Sequence, residues 1–310
     1  RSVVDSFGRP TYAFGEVQEL GTGFETCRDF ITGTRPVKPK LAVHFSTWAW
    51  HFFEHQPLTY GFNYLEALLN GLYRGLYERN WRADAVDPAV DLADYSVVIS
   101  PFLPALDEEG LRERLAEWIK AGGTWIATPF TDIRDLEGAK LRSGPYGSLE
   151  EWGQVFRAHE CPIEPKPLPL RWSDGMEGEG SLWQDALEPR GAEVLATYTA
   201  WPNEGKAAIT RARIGKGQVV VMATLPRPEQ LLPFLERLFT EAGIQREWQA
   251  SESVLAVPRA GAGGQGAVVL ELEGKPGSVT LPRPATDLLS GKRYEGEVAL
   301  APYATLVLKY

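Results

Sequence analysis

Between residues 41 and 226 the sequence alternates short apolar runs with amphipathic helical stripes, and this alternation limits the fold more than any other feature. Leu41–Phe45, Ala83–Val86, Val97-Val98-Ile99 and Trp125–Thr128 read as short strands. Tyr64, Leu65, Leu68, Leu69, Leu72 and Leu76 form a helical stripe, with Asn63 placed to cap it. Asp107 to Ala121 reads as a second helix, capped by Asp107, with Glu108 and Glu109 at its positive end and Gly122-Gly123 ending it. Strands separated by single helices predict a doubly wound, mostly parallel α/β sheet covered on both faces. Residues 131–190 break the rhythm. They are rich in Gly, Pro and Trp and predict a long excursion with little regular structure. The pattern resumes at Val194–Tyr198, Ala207–Arg211 and Val219–Ala223, the last two flanking the turn Gly215-Lys216-Gly217, and closes with a helix over Pro228–Gly243.

The flanks follow different rules. Phe14, Val17, Leu20, Phe24, Cys27 and Ile31 lie on one face of a helix over 11–32, and Pro36 and Pro39 mark the linker after it. From about residue 248 the period drops to two. Ser253–Val257, Val268–Leu272, Val279–Leu281 and Thr305–Leu308, separated by Gly-rich turns, predict a small antiparallel β domain. The domain organisation expected is 1–37, 38–246 and 247–310.

Composition narrows the partners. The 310 residues are 44% hydrophobic and 24% charged, an ordinary globular mix that excludes collagen and a disordered chain. Asp+Glu 41 against Lys+Arg 32 gives a net charge of −9, which repels phosphate backbones and argues against nucleic acid or an anionic membrane as a partner. No apolar run is long enough to span a bilayer. Two cysteines, Cys27 and Cys161, match no zinc spacing and fit a cytoplasmic setting, with Cys161 expected to be inert. The chain starts at Arg1 rather than Met, without a signal-peptide layout, so a piece of a longer protein is expected.

The chemical motifs compete with plainer readings. His51-Phe52-Phe53-Glu54-His55 matches the H-x-x-E-H of inverted zinc peptidases, but Pro57 follows at once and no separate third ligand is identifiable. A loop or short helix is the reading taken, and no metal or other cofactor is expected. Gly261 to Gly266 contains G-x-G-x-x-G, but a strand-like run follows instead of a helix, which makes it a hairpin loop. Amidase chemistry needs a nucleophilic Cys after a strand, and Thr128-Pro129-Phe130-Thr131 has none. Asp132, Asp135 and Glu137 share a loop, as do Glu150 and Glu151, but spacing selects no acid–base pair. Trp48, Trp50, Phe52, Phe53, Tyr60 and Phe62 crowd the stretch after the first strand, and Trp152, Trp172, Trp183 and Trp201 lie in or near the excursion. Flat rings in such places suit a sugar, an interface or a core.

Taken in order, the segments resemble the C-terminal part of a glycoside hydrolase family 42 β-galactosidase. Asp5-Ser6-Phe7-Gly8-Arg9-Pro10-Thr11-Tyr12 and Glu16-Val17 are similar to the last helix of that family's catalytic barrel. Asp91-Leu92-Ala93-Asp94-Tyr95-Ser96-Val97-Val98-Ile99-Ser100-Pro101, Trp118-Ile119-Lys120-Ala121-Gly122-Gly123-Thr124, Ala208-Ile209-Thr210-Arg211 and Ile214-Gly215-Lys216-Gly217 resemble its trimerisation domain. Leu182-Trp183 and Val194-Leu195-Ala196-Thr197-Tyr198 fit the same domain. Leu288-Leu289-Ser290-Gly291-Lys292 and Leu306-Val307-Leu308 resemble its small C-terminal β domain. The resemblance implies a fold of class I glutamine-amidotransferase type and a homotrimer. The parent reaction it implies is retaining hydrolysis of terminal β-galactosides. It also implies that both catalytic carboxylates, about 5 Å apart in a retaining enzyme, lie in the barrel, so no residue here is expected to be catalytic. Trp48, Trp50, Phe52, Phe53, Tyr60 and Phe62 become candidates for an interface or for the wall of a neighbouring subunit's site. The galactoside would be a partner of the full-length parent only. Without a barrel to cover it, the Phe14–Phe24 stripe is expected to pack on another copy or to fray. A stand-alone amidotransferase-like scaffold protein and a zinc hydrolase are the other two readings.

Overall fold

The computed structural model describes residues 2–162, 167–246 and 248–310; the Cys161 side chain lies outside the described residues. The chain divides into two compact units, one of Pro39–Leu76 and Arg82–Gln245, the other of Arg1–Lys38, Tyr77–Trp81 and Arg246–Tyr310.

The larger unit is built on a 12-stranded mixed sheet. Leu41–His44, Val97–Ser100 and Thr124–Ala127 are buried along their whole length. That is why they read as continuous apolar runs rather than as alternating ones. They pair in parallel in the order Ala83–Val86, Leu41–His44, Val97–Ser100, Thr124–Ala127, Gly217–Met222. A mostly parallel sheet was expected; among the described residues it is mixed, parallel through these strands and antiparallel beyond them. The hairpin at Gly215 reverses the chain, pairing Ile214 with Gly217. Beyond it Ala207–Ile214, Glu193–Tyr198, Leu168–Trp172, Glu177–Ser181 and Leu225–Pro226 all add antiparallel.

The excursion also differs from its expectation. Among its described residues it holds a short helix, Ser148–Trp152, and four strands, Val155–Pro162, Leu168–Trp172, Glu177–Ser181 and Trp183–Pro189. The signal was present at Leu168, Leu170 and Trp172, which are buried while Pro169 and Arg171 between them are exposed. Pro and Gly are tolerated because these strands rejoin the antiparallel side of the sheet, where bulges and broken ladders are accommodated.

Helix placement follows local chemistry with two exceptions. Asn63 caps as expected, its Oδ1 accepting the Glu66 N–H at 3.0 Å, but the helix it starts is interrupted by a π-turn over Leu69–Tyr73. Asp107 does not cap. Glu109 and Gly110 take left-handed backbone angles, the α-helix begins at Leu111, and the Asp107 carboxylate accepts from Arg112 Nε at 2.8 Å instead. The final helix, Pro228–Glu241, buries Leu231, Leu232, Leu235 and Leu238.

In the smaller unit, Val254–Gly261, Gly264–Glu271 and Thr305–Lys309 form an antiparallel sheet around Trp248, Val269, Val279, Leu300 and Leu308. The G-x-G-x-x-G segment is its hairpin, with Gly261 paired to Gly264. The helix Ala13–Gly33 belongs to this unit. Its last turns bury Cys27 and Phe30 against Val307, and Arg259 donates to the Ile31 and Thr34 carbonyls at the helix end. A Cβ on Gly33 would lie 2.9 Å from the Gly263 backbone, so glycine is what allows the helix end to meet the hairpin. Val17, Leu20 and Phe24, higher on the same face, are exposed. Asn80 joins the unit by donating to the Val254 carbonyl and accepting the Ala256 N–H, both at 2.8 Å. Among the described residues no helix is long and apolar enough to cross a membrane.

Candidate functional site

Strand order reverses between Leu41–His44 and Val97–Ser100. Open α/β sheets form their ligand crevice outside the strand C-termini at such a point. Here that crevice is filled with aromatic rings. Phe53 packs edge-on to Phe62 at 4.8 Å between centroids and face-on to Tyr64 at 5.9 Å. Phe62 meets Phe102 at 5.2 Å and Phe130 at 5.3 Å, and Phe130 meets Trp183 at 4.8 Å. The six sequence candidates therefore separate into two layers. Phe52, Phe53 and Phe62 are buried in this packing. Trp48 and Trp50 are half-buried, and Tyr60 is 89% exposed.

The outer layer is held in place by the inner one. Ser46 caps the helix Thr47–His55, its Oγ accepting the Ala49 N–H at 2.9 Å while donating to Glu108 at 2.7 Å. From that helix Trp48 stacks on Phe52 at 5.3 Å and donates its indole N–H to the Leu136 carbonyl at 3.1 Å. Trp50 stacks on His51 at 5.3 Å. His51, Glu54 and His55 are exposed on the same helix. Among the described residues no three His, Cys, Asp or Glu side chains are grouped to hold a metal.

Sequence reasoning missed Phe102 and Phe130. Each follows a proline just past a buried strand, Pro101 immediately after Ser100 and Pro129 separated from the end at Ala127 by Thr128, and each is held at a positive φ, 48° and 67°. This is the strained strand-end geometry in which hydrolases hold a nucleophile; here it holds a ring. The repeated Pro-Phe pair, Pro101-Phe102 and Pro129-Phe130, was the available signal. Beneath the rings, His44 Nδ1 lies 2.8 Å from Ser100 Oγ, the spacing of a base and a nucleophile. Both residues are buried, and Ser100 Oγ also accepts the Trp125 N–H at 2.8 Å, so the pair has structural rather than reactive surroundings. Burial pushes the His44 imidazole down to about 4.

The carboxylates of the excursion are likewise committed. Asp132 accepts from Arg112 Nη2 at 3.0 Å and from the Leu149 N–H at 2.9 Å. Asp185 accepts from Arg157 at 2.6 Å, Tyr146 at 2.7 Å and Trp183 at 2.8 Å. Burial pushes both carboxyls up, against the pull of their arginines. Asp135 holds its own loop through the Glu137 and Ala139 N–H groups, and Glu150 accepts the Arg157 N–H.

Residues 40–245 match the family described as the β-galactosidase trimerisation domain, and residues 273–310 match the β-galactosidase C-terminal domain. The chain belongs to glycoside hydrolase family 42. It is 28% identical over 306 residues to β-galactosidase YesZ of Bacillus licheniformis, covering 97% of this chain and 46% of that protein. It is 31% identical over 247 residues to β-galactosidase BgaB of a Geobacillus species, covering 78% of this chain and 35% of the relative. The chain thus spans about half or less of the length of these relatives. The crystal structure of a Bacillus circulans β-galactosidase superposes with a TM-score of 0.91 at 23% identity, covering 99% of this chain and 46% of that one. The two matched regions are thus the trimerisation and C-terminal domains of the family.

Proposed function

We propose that this chain is the assembly portion of a β-galactosidase that hydrolyses terminal β-galactosides with retention, and that it self-associates as a homotrimer in the cytoplasm. The match of residues 40–245 to the trimerisation domain carries the reading. In it, residues 38–246 are an amidotransferase-like trimerisation domain, which the parallel strands around Leu41–His44 and their filled switch point support. Residues 1–37 continue from a catalytic barrel, and residues 247–310 close the subunit. Trp48, Trp50 and Tyr60 are the outer wall facing a neighbouring subunit's sugar site. Phe52, Phe53 and Phe62 fix that wall from behind. Stacked rings with little freedom to move lose little entropy when a sugar or a partner packs against them.

The test is the mass in solution. Light scattering coupled to size exclusion is expected to give three times the 34.3 kDa chain mass, with no turnover of a chromogenic galactoside. A monomer at every concentration would overturn the trimer, and turnover abolished by substitutions within this chain would overturn its non-catalytic role.

A further inference from the structure

The larger unit also holds a cavity that none of the crevice rings lines and that the reading above leaves unused. It has a volume of about 540 Å³, within the size range of small-molecule sites, and its lining includes Ile133, Arg134, Lys140, Pro145, Phe156 and Glu160. Its walls are tied down. Arg134 and Lys140 are joined by a β-bridge that closes a loop pinned by Asp135. Phe156 and Glu160 stand on the strand Val155–Pro162, and Arg190 lies over the Phe156 ring at 4.6 Å.

The charges around the cavity balance. Arg157, also in its lining, pairs with Asp185 and with Glu160, both at 2.6 Å. Lys140 pairs with Glu160 at 2.9 Å. The negative charges of Glu160 and Asp135 support the positive one on Arg134. Three cations thus stand among three acids, and no excess charge calls for an ion.

Hydrogen-bonding capacity is left over on both sides. Arg134 is 8% exposed and donates to the Ile133 carbonyl at 2.8 Å. None of its other N–H groups is both buried and unpartnered, so they open to solvent where the side chain lines the cavity. Lys140 has three donors and gives one to Glu160. Each Glu160 oxygen takes one bond, from Lys140 or from Arg157, and keeps a second lone pair. Spare donors and spare acceptors therefore lie side by side. A hydroxyl donates and accepts at once and satisfies both, whereas an ion satisfies one kind and repels the other. The rest of the lining, Ile133, Pro145 and Phe156 among it, is apolar.

We propose that this cavity binds a neutral polyhydroxylated ring of monosaccharide size, with its hydroxyls on Arg134, Lys140 and Glu160 and its C–H face against Phe156 and Pro145. C–H groups carry a slight positive charge, which suits the negative face of an aromatic ring.

Saturation-transfer NMR on the 310-residue chain with D-galactose, D-galacturonate and cyclohexanol tests this. D-galactose is expected to bind saturably, with a Kd on the order of 1 mM for so small a ligand. Cyclohexanol keeps a ring of that size but only one hydroxyl, and is expected to bind about tenfold more weakly. D-galacturonate, which adds a charge the cavity does not need, is expected to bind no more tightly than D-galactose. Phe156→Ala and Arg134→Met are each expected to weaken D-galactose about tenfold, while Tyr60→Ala on the outer aromatic wall leaves it unchanged. If Arg134→Met does not fold, Lys140→Ala, at an exposed side chain, takes its place. The proposal is overturned if D-galactose does not saturate, if D-galacturonate binds more tightly, or if cyclohexanol binds equally well. It is also overturned if Tyr60→Ala removes binding that Phe156→Ala leaves intact, since the sugar would then lie on the outer wall. None of these readouts depends on the trimer, so the two readings fail separately.

Discussion

In the larger unit Asp132 and Asp185 are buried against Arg112 and Arg157, whereas in the smaller unit the buried carboxylates are held by backbone N–H groups. Glu271 accepts from Tyr303 and Gly274 at 2.8 Å and from Glu273 at 3.0 Å; Asp287 accepts from Val307 at 2.9 Å and Ser290 at 3.1 Å. Both devices satisfy a charge out of water, but they respond differently to change. An arginine partner is itself a buried charge and is stranded when the carboxylate leaves. A turn amide that loses its acceptor is a neutral dipole near the surface. Burial raises Glu271, but the N–H groups of Tyr303 and Glu273 and the Ser253 hydroxyl outweigh it and hold the carboxyl at about 2.

The sharpest way to break this contrast is to remove each carboxylate. Asp185→Ala takes the buried acid from Arg157, which keeps Glu160, and leaves Tyr146 and Trp183 without this acceptor; about 3 kcal/mol of destabilisation is expected from urea unfolding. Glu271→Ala is expected to lose less. Equal losses, or a larger one at Glu271, would remove the distinction.

Acid separates the units next. Folded His44 stays neutral down to about 4, while the unfolded imidazole protonates near 6.5. The unfolded chain therefore binds more protons between those values, and stability falls as pH falls from 6.5 towards 4, by on the order of 3 kcal/mol. Glu271 is ionised in the folded chain down to about 2, while the unfolded carboxyl protonates near 4.5. Its contribution is lost only as pH falls from 4.5 towards 2. Hydrogen exchange followed against pH is expected to show the larger unit loosening first, and His44→Asn to flatten its response above pH 4. Earlier loosening of the smaller unit would contradict this.

Smaller effects sharpen the comparison. Gly33→Ala places a methyl on the Gly263 backbone, which cannot move without disturbing the hairpin; a loss of about 1–3 kcal/mol is expected. It should appear as faster exchange in Phe30–Thr34 and 261–266, with the larger unit unchanged. Tyr60→Ala is expected to change stability by no more than about 0.5 kcal/mol, because an exposed ring has few contacts to lose. A larger loss would mean that Tyr60 is covered in the chain's own assembly.

Much of this was legible in the sequence wherever the cause is local. The Asn63 cap needs only its own side chain and the Glu66 amide. The parallel strands announced themselves because burial on both faces demands continuous apolar residues. The Asp107 cap failed because Arg112 competes for its carboxylate and Glu109-Gly110 turn left-handed. The excursion looked unstructured because its strands carry Pro and Gly that a central strand would exclude, and only pairing with distant segments such as Ala207–Ile214 made them strands.

The aromatic stretch after the first strand marks where that legibility stops. By itself the sequence determined that many rings would gather at the end of Leu41–His44, since composition and spacing are local facts. Which rings became core and which became surface was decided by Phe102, Phe130 and Trp183, brought in by other strands. The same holds for Asp185, one acid among many in the excursion until the fold brings Arg157, Tyr146 and Trp183 to it. Charge balance inside a protein is a property of proximity, and proximity is what folding supplies.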